Sequence, residues 1–245
     1  MDYKIKWLGA DKNFNSKRID SDTGKVYKPE VHVIHIMQGT LLGTDSCFND
    51  PKEKVSTHYG IGKNGEIHQY VKDEDTAWGN GYCTNPDWLW NKIYPGVNPN
   101  LYTLSYELEG NSGDVPTEDQ FNALMYLLKL NSKRYNISID LNRFVGHYVI
   151  DPVNKPFCPG TGFPWKRLFS ELGKDSLITM PILKIGTKGE DVTCLQSQLK
   201  KLGYDVGIVD GDFGNKTLTA LKKFQADKGL LSDGICGPVS WGKLV

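Results

Sequence analysis

Residues 31–36 read VHVIHI, a run that is β-branched throughout apart from its two histidines. A short continuous apolar run of this kind predicts a strand buried within a sheet. Residues 56–71, STHYGIGKNGEIHQYV, predict two more strands joined at 63–65, where Asn-Gly is a strong hairpin turn. Residues 101–108, LYTLSYEL, predict a further strand. Together these segments indicate a β-sheet with a buried strand at 31–36.

A helix is predicted immediately after residue 117. The segment TEDQ at 117–120 is a capping box, in which the Thr hydroxyl and the Gln side chain bond free amides of the first helical turn. Phe121, Leu124 and Leu128 then share one face of that helix. Because strands are mixed with helices, the first ~170 residues are expected to form one α/β domain.

The pattern changes after residues 173–181, GKDSLITMP, a polar stretch ending in Pro that predicts a domain boundary. Beyond it, apolar residues at helical spacing predict two helices. The first contains Val192, Leu195, Leu199 and Leu202 and stops at Gly203; the second contains Leu218, Leu221 and Phe224 and stops at Gly229. A short repeat flanks the second helix, since DGDFGNKT at 210–217 recurs as DGICGPVS at 233–240. Each copy sets Asp-Gly turn residues ahead of a Thr or Ser able to cap a helix.

Composition argues against several classes of protein. The 245 residues are 39% hydrophobic and 24% charged, as is usual for a soluble globular protein. The 29 basic and 29 acidic residues cancel, which argues against a nucleic-acid binder. No apolar stretch approaches the ~18 residues needed to cross a membrane. We therefore expect no nucleic-acid partner and no membrane insertion.

Chemistry is expected from a few histidines and cysteines. The five cysteines form no CxxC pair and no disulfide framework. Cys158 stands out because it lies in a Pro-Phe-Cys-Pro-Gly loop soon after His147, and both His147 and His35 end apolar runs. Two imidazoles and one thiolate would give a zinc site with one position open for water, as a hydrolase needs. Spacing alone leaves open that these histidines are merely hydrogen-bonded structure, the role expected for His32 and His68.

Several ordered blocks between about residue 31 and residue 169 resemble the zinc-dependent N-acetylmuramoyl-L-alanine amidases. That family includes phage amidase lysins and the peptidoglycan-recognition proteins. The blocks are VIHIMQGT at 33–40, STHYGIGKNGEIHQYVKDEDTAWGNG at 56–81, SYELEG at 105–110, GH at 146–147 and CPG at 158–160. The resemblance implies an α/β fold with a mixed central sheet flanked by helices. It also implies a cleft in which His35, His147 and Cys158 bind Zn²⁺.

The same resemblance gives catalytic roles to Glu107 and Lys155. A carboxylate beside the metal can take a proton from the attacking water and hand it to the departing amine. Glu109 has the same strand parity, so the residues alone leave open which acid faces the metal, and the family pattern favours Glu107. Lys155 resembles a basic residue that would stabilise the tetrahedral oxyanion. Some members place it two positions before the third ligand, whereas here it is three before.

Substrate contacts are predicted for His58, Thr57 and Trp78. His58 lies in a block typical of the family, and Thr57 stands where some relatives have an active-site tyrosine. Trp78 begins an aromatic-rich stretch that could stack on sugars or line a peptide groove. Structural hydrogen bonding or core packing is the alternative for each. Gly79 replaces the histidine usual in relatives, which puts the substrate contacts of this loop in doubt.

Residues 182–245 resemble the three-helix peptidoglycan-binding domain. The matching segments are GTKGEDV at 186–192, LQSQLKKLGY at 195–204, VDGDFGNKT at 209–217 and SDGICGP at 232–238. We therefore expect a zinc amidase catalytic domain at 1–174 and a peptidoglycan-binding domain at 180–245. Both domains point to the bacterial cell wall polymer as the partner, and the residues leave the oligomeric state open.

The expected reaction is hydrolysis of the amide between N-acetylmuramic acid and L-alanine. One alternative is recognition of peptidoglycan without cleavage, which Glu107 and Cys158 disfavour. Another is a cytoplasmic recycling amidase, which would have little use for a wall-binding tail. A third is a generic α/β domain with accidental histidines. Residues 1–14 show no secretory signal, so synthesis in the cytoplasm and release through a phage-made membrane lesion is favoured. That reading favours a phage endolysin over a secreted bacterial autolysin.

Overall fold

The computed structural model describes residues 3–160, 162–173 and 182–244, and the chain divides into two compact units between Leu172 and Gly173. Most of the predicted boundary segment, residues 174–181, lies outside the described residues. The strands are β1 (Ile5–Trp7), β2 (Phe14–Asn15), β3 (Val31–Ile36), β4 (Tyr59–Ile61), β5 (Ile67–Gln69), β6 (Thr76–Ala77), β7 (Thr103–Leu108) and β8 (Phe144–Gly146). The helices are α1 (Leu41–Asn49), α2 (Leu89–Ile93), α3 (Glu118–Tyr135), α4 (His147–Ile150), α5 (Trp165–Glu171), α6 (Glu190–Lys201), α7 (Asn215–Asp227) and α8 (Pro238–Leu244), with a 3₁₀ turn at Pro99–Leu101.

The first unit is built on a six-stranded sheet in the order β1-β5-β4-β7-β3-β8. Neighbouring strands are parallel except for β4 and β5, which makes the sheet mixed. Strand β3 lies between β7 and β8 and is buried at all six positions. This explains its continuous apolar sequence, because an interior parallel strand is covered on both faces. The predicted strand and the predicted α/β fold with a mixed central sheet are confirmed.

The predicted hairpin is also present, with β4 and β5 paired antiparallel. Gly65 has φ +80°, a left-handed conformation that favours glycine. The Asn64 side chain accepts a hydrogen bond from the Glu66 main-chain amide at 3.0 Å, which closes the turn. The Asn-Gly pair therefore sets this connection as the sequence predicts.

Helix α3 begins as predicted but only half of its capping box forms. Thr117 accepts from the Gln120 main-chain amide. The Gln120 side chain does not return the bond; it donates to the main-chain carbonyls of Ile61 and Glu109 at 2.9 and 3.0 Å. The buried Gln120 amide therefore bonds two main-chain carbonyls at the ends of strands rather than capping its own helix. The apolar face of α3 is buried as expected.

The second unit contains the two predicted helices, α6 and α7, followed by the short helix α8. Its core is formed by apolar residues of all three helices and the segments between them. Leu202 was predicted to belong to the first of these helices but is its C-cap residue and is 44% exposed, because α6 ends at Lys201 and Gly203 then turns the chain with φ +89°. Within the described part of the chain, no helix is both long and apolar enough to cross a bilayer.

The internal repeat of the second unit has a different function from the predicted capping. Thr217 and Ser240 lie inside α7 and α8 rather than at their caps. Gln196, buried in α6, donates to the Asp210 carboxylate, the Asp212 carbonyl and the Thr217 hydroxyl. Gln225, buried in α7, makes the same three kinds of bond to the second copy. The repeat therefore encodes two loops, each wrapped around the buried glutamine of the preceding helix.

Candidate metal centre and active site

Three side chains that could ligate one metal ion meet at the carboxyl ends of β3 and β8. The ligand atoms of His35, His147 and Cys158 all lie within 4.8 Å of one another. The two imidazole centroids are 4.5 Å apart. Both histidines are buried and Cys158 is half-buried. Across residues 3–160, 162–173 and 182–244, this is the one such cluster of His, Cys, Asp and Glu side chains.

Parallel pairing brings these distant residues together. His35 is the penultimate residue of β3, and His147 directly follows the last residue of β8. Because the carboxyl ends of parallel strands lie at one edge of a sheet, the two imidazoles come close. The loop that carries Cys158 is held there by a hydrogen bond from the Tyr148 amide to the Cys158 carbonyl, 3.1 Å long.

Strand alternation separates His35 from His32. Successive side chains of a strand point to opposite faces, so His35 shares its face with Val31 and Val33. His32 lies on the other face, where its ring nitrogens contact the hydroxyls of Tyr106 and Ser132 at 2.9 and 3.0 Å. His32 is thus hydrogen-bonded within the structure, whereas His35 faces the cluster.

The protonation of the two ligand histidines suits metal binding. His147 Nε2 is 3.0 Å from the main-chain carbonyl of Asn80. A carbonyl can only accept, so Nε2 carries the proton and Nδ1 keeps its lone pair. Burial lowers the pKa of His147 and holds the pKa of His35 well below its ordinary value. Both rings are therefore neutral near pH 7, as metal ligation requires.

Glu107 is the carboxylate beside this cluster. It pairs with His35 in the register of β3 and β7, and its Oε1 is 4.0 Å from His35 Nδ1. Its Oε2 is buried and has no hydrogen-bond partner among the described residues. Burial raises the pKa of Glu107 to about 8, against the opposing charge of Lys155. Glu109 lies one residue beyond β7 and accepts from the Lys63 amide at 2.8 Å instead.

Lys155 is exposed, and its charge acts on the cluster. It lowers the pKa of Cys158, against the larger effect of burial. It also lowers the pKa of His147, in the same direction as the larger effect of burial. Burial raises the pKa of the Cys158 thiol to about 12. The Lys155 amide donates to the Asp151 carbonyl at 2.9 Å. The Asp151 carboxylate in turn accepts from Thr84 at 2.6 Å, which joins this loop to the one that follows Asn80.

The three residues predicted to contact substrate differ in exposure. His58 is buried, with Nδ1 accepting from the Ser105 amide at 3.1 Å and Nε2 lying 2.8 Å from the Arg18 guanidinium. Thr57 is buried too, and its hydroxyl has no hydrogen-bond partner in the part of the chain that the structure describes. Trp78 is half-buried and retains exposed surface. These contacts favour a structural role for His58, and Trp78 is the one of the three that solvent reaches.

Arg18 is a buried residue that sequence reasoning missed. It is 2% exposed and donates to the main-chain carbonyls of Asp73, Asn100, Leu101 and Thr103. These bonds tie the start of β7 to the loop that follows β5. No local pattern marks this residue, because all its partners lie far along the chain.

The aromatic stretch after Trp78 divides between core and surface. Trp88 and Trp90 are buried in the apolar cluster under β3, and Tyr94 packs against it. Tyr82 is 84% exposed. The neighbouring Gly79 is tightly packed, since a Cβ there would lie 2.9 Å from the Ser56 carbonyl oxygen. Any side chain at residue 79 would therefore require a shift of the neighbouring backbone.

The first unit is an α/β domain with a mixed sheet. Its His₂Cys cluster, at the carboxyl edge of that sheet, is a candidate site for a single metal ion. The N-acetylmuramoyl-L-alanine amidase family model matches residues 25–161, and a putative peptidoglycan-binding domain model matches residues 188–244. The first match covers more than half of the chain and includes all three cluster residues. The chain belongs to the N-acetylmuramoyl-L-alanine amidase family.

Curated relatives agree with this assignment. The chain is 31% identical over 224 residues to the N-acetylmuramoyl-L-alanine amidase CwlL of Bacillus licheniformis, covering 80% of this chain and 58% of that protein. It is 33% identical over 119 residues to the 1,6-anhydro-N-acetylmuramyl-L-alanine amidase AmpD of Haemophilus influenzae, covering 49% of this chain and 59% of that protein. The chain thus spans less than two thirds of the length of either relative.

Solved structures share the fold of the first unit. A selenomethionine derivative of AmpD matches with a TM-score of 0.53 and 23% identity, over 69% of this chain and 98% of that one. The N-acetylmuramoyl-L-alanine amidase LysC from Clostridium intestinale matches with a TM-score of 0.51 and 18% identity, over 70% and 99%. At these identities the likeness concerns the fold.

Proposed function

We propose that this protein is a zinc-dependent N-acetylmuramoyl-L-alanine amidase, which hydrolyses the amide between the lactyl group of N-acetylmuramic acid and L-alanine in peptidoglycan. The observation that supports this most strongly is the convergence of His35, His147 and Cys158 in a chain of the amidase family. The curated relatives quoted above are named as amidases of this kind of bond. Their whole length exceeds the matched region, so the activity is an inference for this chain.

The residues of the cluster fit a zinc ion. Two neutral imidazoles and a thiolate are ligands that zinc prefers, and three protein ligands leave one position open. Within the described ranges, the buried His35 Nε2 has no hydrogen-bond partner, so the ring is not held by a complete hydrogen-bond network of its own. A bound Zn²⁺ would supply Lewis acidity towards the carbonyl and would lower the pKa of a bound water to roughly 7.

Glu107 is proposed as the proton carrier. A general base works best when its pKa lies near the operating pH, and burial raises the pKa of Glu107 to about 8. Its unpartnered Oε2 is free to take a proton from the attacking water. The protonated carboxyl can then donate that proton to the departing amine of L-alanine.

Lys155 is proposed to stabilise the negative oxygen that develops on the substrate carbonyl. Lys155 is exposed, and its charge acts on the pKa of Glu107, His147 and Cys158, which supports this role. Of the residues proposed to contact substrate, Trp78 has the accessible surface that stacking on a sugar or peptide requires. Thr57 and His58 would support that loop from within, since both are buried.

The second unit is proposed to hold the enzyme on its polymer. We place the catalytic domain at 1–174 and the wall-binding domain at 180–245, in keeping with the two compact units and the two family matches. Tethering raises the local concentration of cleavable bonds around the active site. We further propose that the protein acts on the bacterial wall as a lytic enzyme, either a phage endolysin or a bacterial autolysin.

Digestion of purified Gram-positive cell walls tests this function. We expect new amino groups on L-alanine and glycan strands that have lost their stem peptides, both identified by mass analysis of the products. New reducing sugar ends would indicate a glycosidase instead. Walls that remain intact while the protein still sediments with them would support recognition without cleavage.

A further inference from the structure

Residues 153–157 form an exposed stretch of chain between the candidate ligands His147 and Cys158. This stretch carries Lys155, the residue proposed to stabilise the oxyanion. Asp151 lies just before it and is only 7% exposed. Aspartate side chains are seldom buried unless they are paired or hydrogen-bonded. The partners of the Asp151 carboxylate therefore show what holds this stretch in place.

Three main-chain hydrogen bonds run in series from one candidate ligand to the other. The Asp151 amide donates to the His147 carbonyl at 2.9 Å, and the Lys155 amide donates to the Asp151 carbonyl at 2.9 Å. The Cys158 amide then donates to the Lys155 carbonyl at 3.2 Å. The chain therefore turns between Asp151 and Lys155, and this turn sets the point from which the lysine side chain extends.

The Asp151 carboxylate closes that turn from within. Its Oδ1 accepts from the Asn154 main-chain amide at 3.2 Å and from the Asn154 side-chain amide at 3.1 Å. Its Oδ2 accepts from the same side-chain amide at 3.0 Å. Both carboxylate oxygens are thus bonded to the residue immediately before Lys155, which restricts the main chain on that side of the lysine.

The same carboxylate is bonded to a second loop. Its Oδ1 accepts from the Thr84 hydroxyl at 2.6 Å, and the Thr84 main-chain amide donates to the Ile150 carbonyl at 3.0 Å. The Asn85 side chain adds a bond to the Val149 carbonyl at 2.8 Å. Residues 84–85 are thereby fixed to helix α4, and they give the Asp151 side chain a support outside its own turn.

Cys158 is held by contacts that do not involve the Asp151 side chain. Its carbonyl accepts from the Tyr148 amide at 3.1 Å. A Cβ at Gly146 would lie 2.6 Å from Cδ of Pro159, so the proline ring packs directly against the end of β8. Loss of the Asp151 carboxylate should therefore displace the lysine and leave the thiol in place.

We propose that Asp151 is a positioning residue for Lys155, with its carboxylate bonding the turn before the lysine to the loop at residues 84–85. A turn held in this way reduces the conformational freedom that is lost when the ammonium meets the developing oxyanion. The inference rests on the proposed amidase function and on the role proposed for Lys155 within it. Asp151 acts through the lysine and does not itself contact substrate.

A double-mutant cycle tests whether Asp151 acts through Lys155. Asp151→Ala should lower kcat on a soluble muropeptide about 10²-fold, as displacement of a reacting group does, with KM and zinc content little changed. Lys155→Met should lower kcat by a similar factor. The double variant should lose no more than Lys155→Met alone, because an absent ammonium cannot be misplaced. Losses that multiply in the double variant, or full activity of Asp151→Ala, would overturn the proposal.

Two further variants separate hydrogen bonding from charge and from general damage to a loop. Asp151→Asn removes the charge but keeps an oxygen acceptor, and the Asn154 amide can turn to complete the bonds, so most of kcat should remain. Asp20→Ala is the matched control, because Asp20 accepts from the main-chain amides two and three residues ahead and from the Thr23 hydroxyl. It should leave kcat unchanged. An Asp151→Asn variant as slow as Asp151→Ala would overturn the role given to these hydrogen bonds.

Hydrogen exchange of main-chain amides gives a readout that needs neither zinc nor substrate. In Asp151→Ala the Lys155 amide should exchange at least ~10-fold faster than in the wild type, whereas the Tyr148 amide, which bonds Cys158, should keep its wild-type rate. If Asp151→Ala does not fold, Asn154→Ala replaces it in both measurements, because Asn154 is exposed and its side chain bonds both carboxylate oxygens. Unchanged exchange at Lys155 would overturn the proposal.

Failure of the wider function gives a different pattern. A wild type that cuts neither walls nor soluble muropeptides would refute the amidase activity and, with it, the catalytic purpose of this turn. An active wild type in which the losses of the two single variants multiply would refute the role of Asp151 alone.

Discussion

Substitution of Glu107 by glutamine is expected to remove most turnover while keeping the metal site intact. Glutamine has the same shape but cannot accept a proton at neutral pH. Among the residues that the structure describes, the Glu107 Oε2 has no hydrogen-bond partner, and Oε1 is 4.0 Å from His35 Nδ1, beyond hydrogen-bond distance. The change therefore breaks no hydrogen bond between described residues. A positioned general base typically contributes 10²–10⁴-fold, and we expect a loss of kcat in that range.

The folding stability of this variant should increase, although its turnover falls. The pKa of Glu107 is raised from 4.5 to about 8, so its charged form is disfavoured in the folded state. An acid with a raised pKa costs stability once the pH exceeds its unfolded value, and the cost grows until the folded value is reached. At pH 7 this linkage amounts to at most about 3 kcal/mol. The metal-free Glu107→Gln protein should thus be more stable than the wild type at pH 7 and equally stable near pH 4.

The assay follows release of amino groups from purified walls, together with zinc content and thermal unfolding of the metal-free protein. Glu109→Gln is the matched control, because Glu109 lies two residues away and bonds the Lys63 amide rather than the cluster. It should keep both turnover and zinc. Wild-type turnover in Glu107→Gln would show that another group carries the proton. Loss of zinc in that variant would instead make Glu107 a metal ligand.

Three further changes have distinct expected outcomes. Arg18→Met leaves four buried carbonyls without their donor and should lower the free energy of unfolding by about 3–5 kcal/mol. Arg167→Met, at a surface ion pair, should lower it little. Thermal unfolding that does not distinguish the two variants would contradict this. Lys155→Met should lower kcat about 10²-fold with zinc affinity unchanged, and an unaltered kcat would remove Lys155 from the mechanism. A 1–174 fragment should cleave small soluble muropeptides as fast as the full chain but should digest intact walls at least ~10-fold more slowly. Equal rates of wall digestion would argue against tethering.

The elements predicted best are those whose pattern is local. The strand at 31–36 is a continuous apolar run because it lies inside a parallel sheet. The Asn64-Gly65 turn and the helix start at Thr117 are likewise determined by the residues that form them. The positions of His35, His147 and Cys158 could be proposed because ordered blocks resemble a known family, not because spacing alone requires convergence.

The residues that sequence reasoning missed act through distant partners. Arg18 and Asn80 have buried polar side chains that are hydrogen-bonded to groups far away in the chain. Gln120 caps strand ends instead of its own helix, and Gln196 binds the repeat that was predicted to cap α7. Each satisfies main-chain carbonyls or hydroxyls that become buried only when the fold is complete. No local pattern could identify those partners in advance.

The ligand set itself is tested most directly by absorption spectroscopy with cobalt in place of zinc. A tetrahedral cobalt ion bound by a thiolate gives intense d–d bands and a sulfur-to-metal charge-transfer band. We expect these bands to saturate at one cobalt per chain in the wild type and in Cys47→Ser, and to lose the charge-transfer component in Cys158→Ser. An unchanged spectrum in Cys158→Ser, or no cobalt binding by the wild type, would contradict the proposed metal centre.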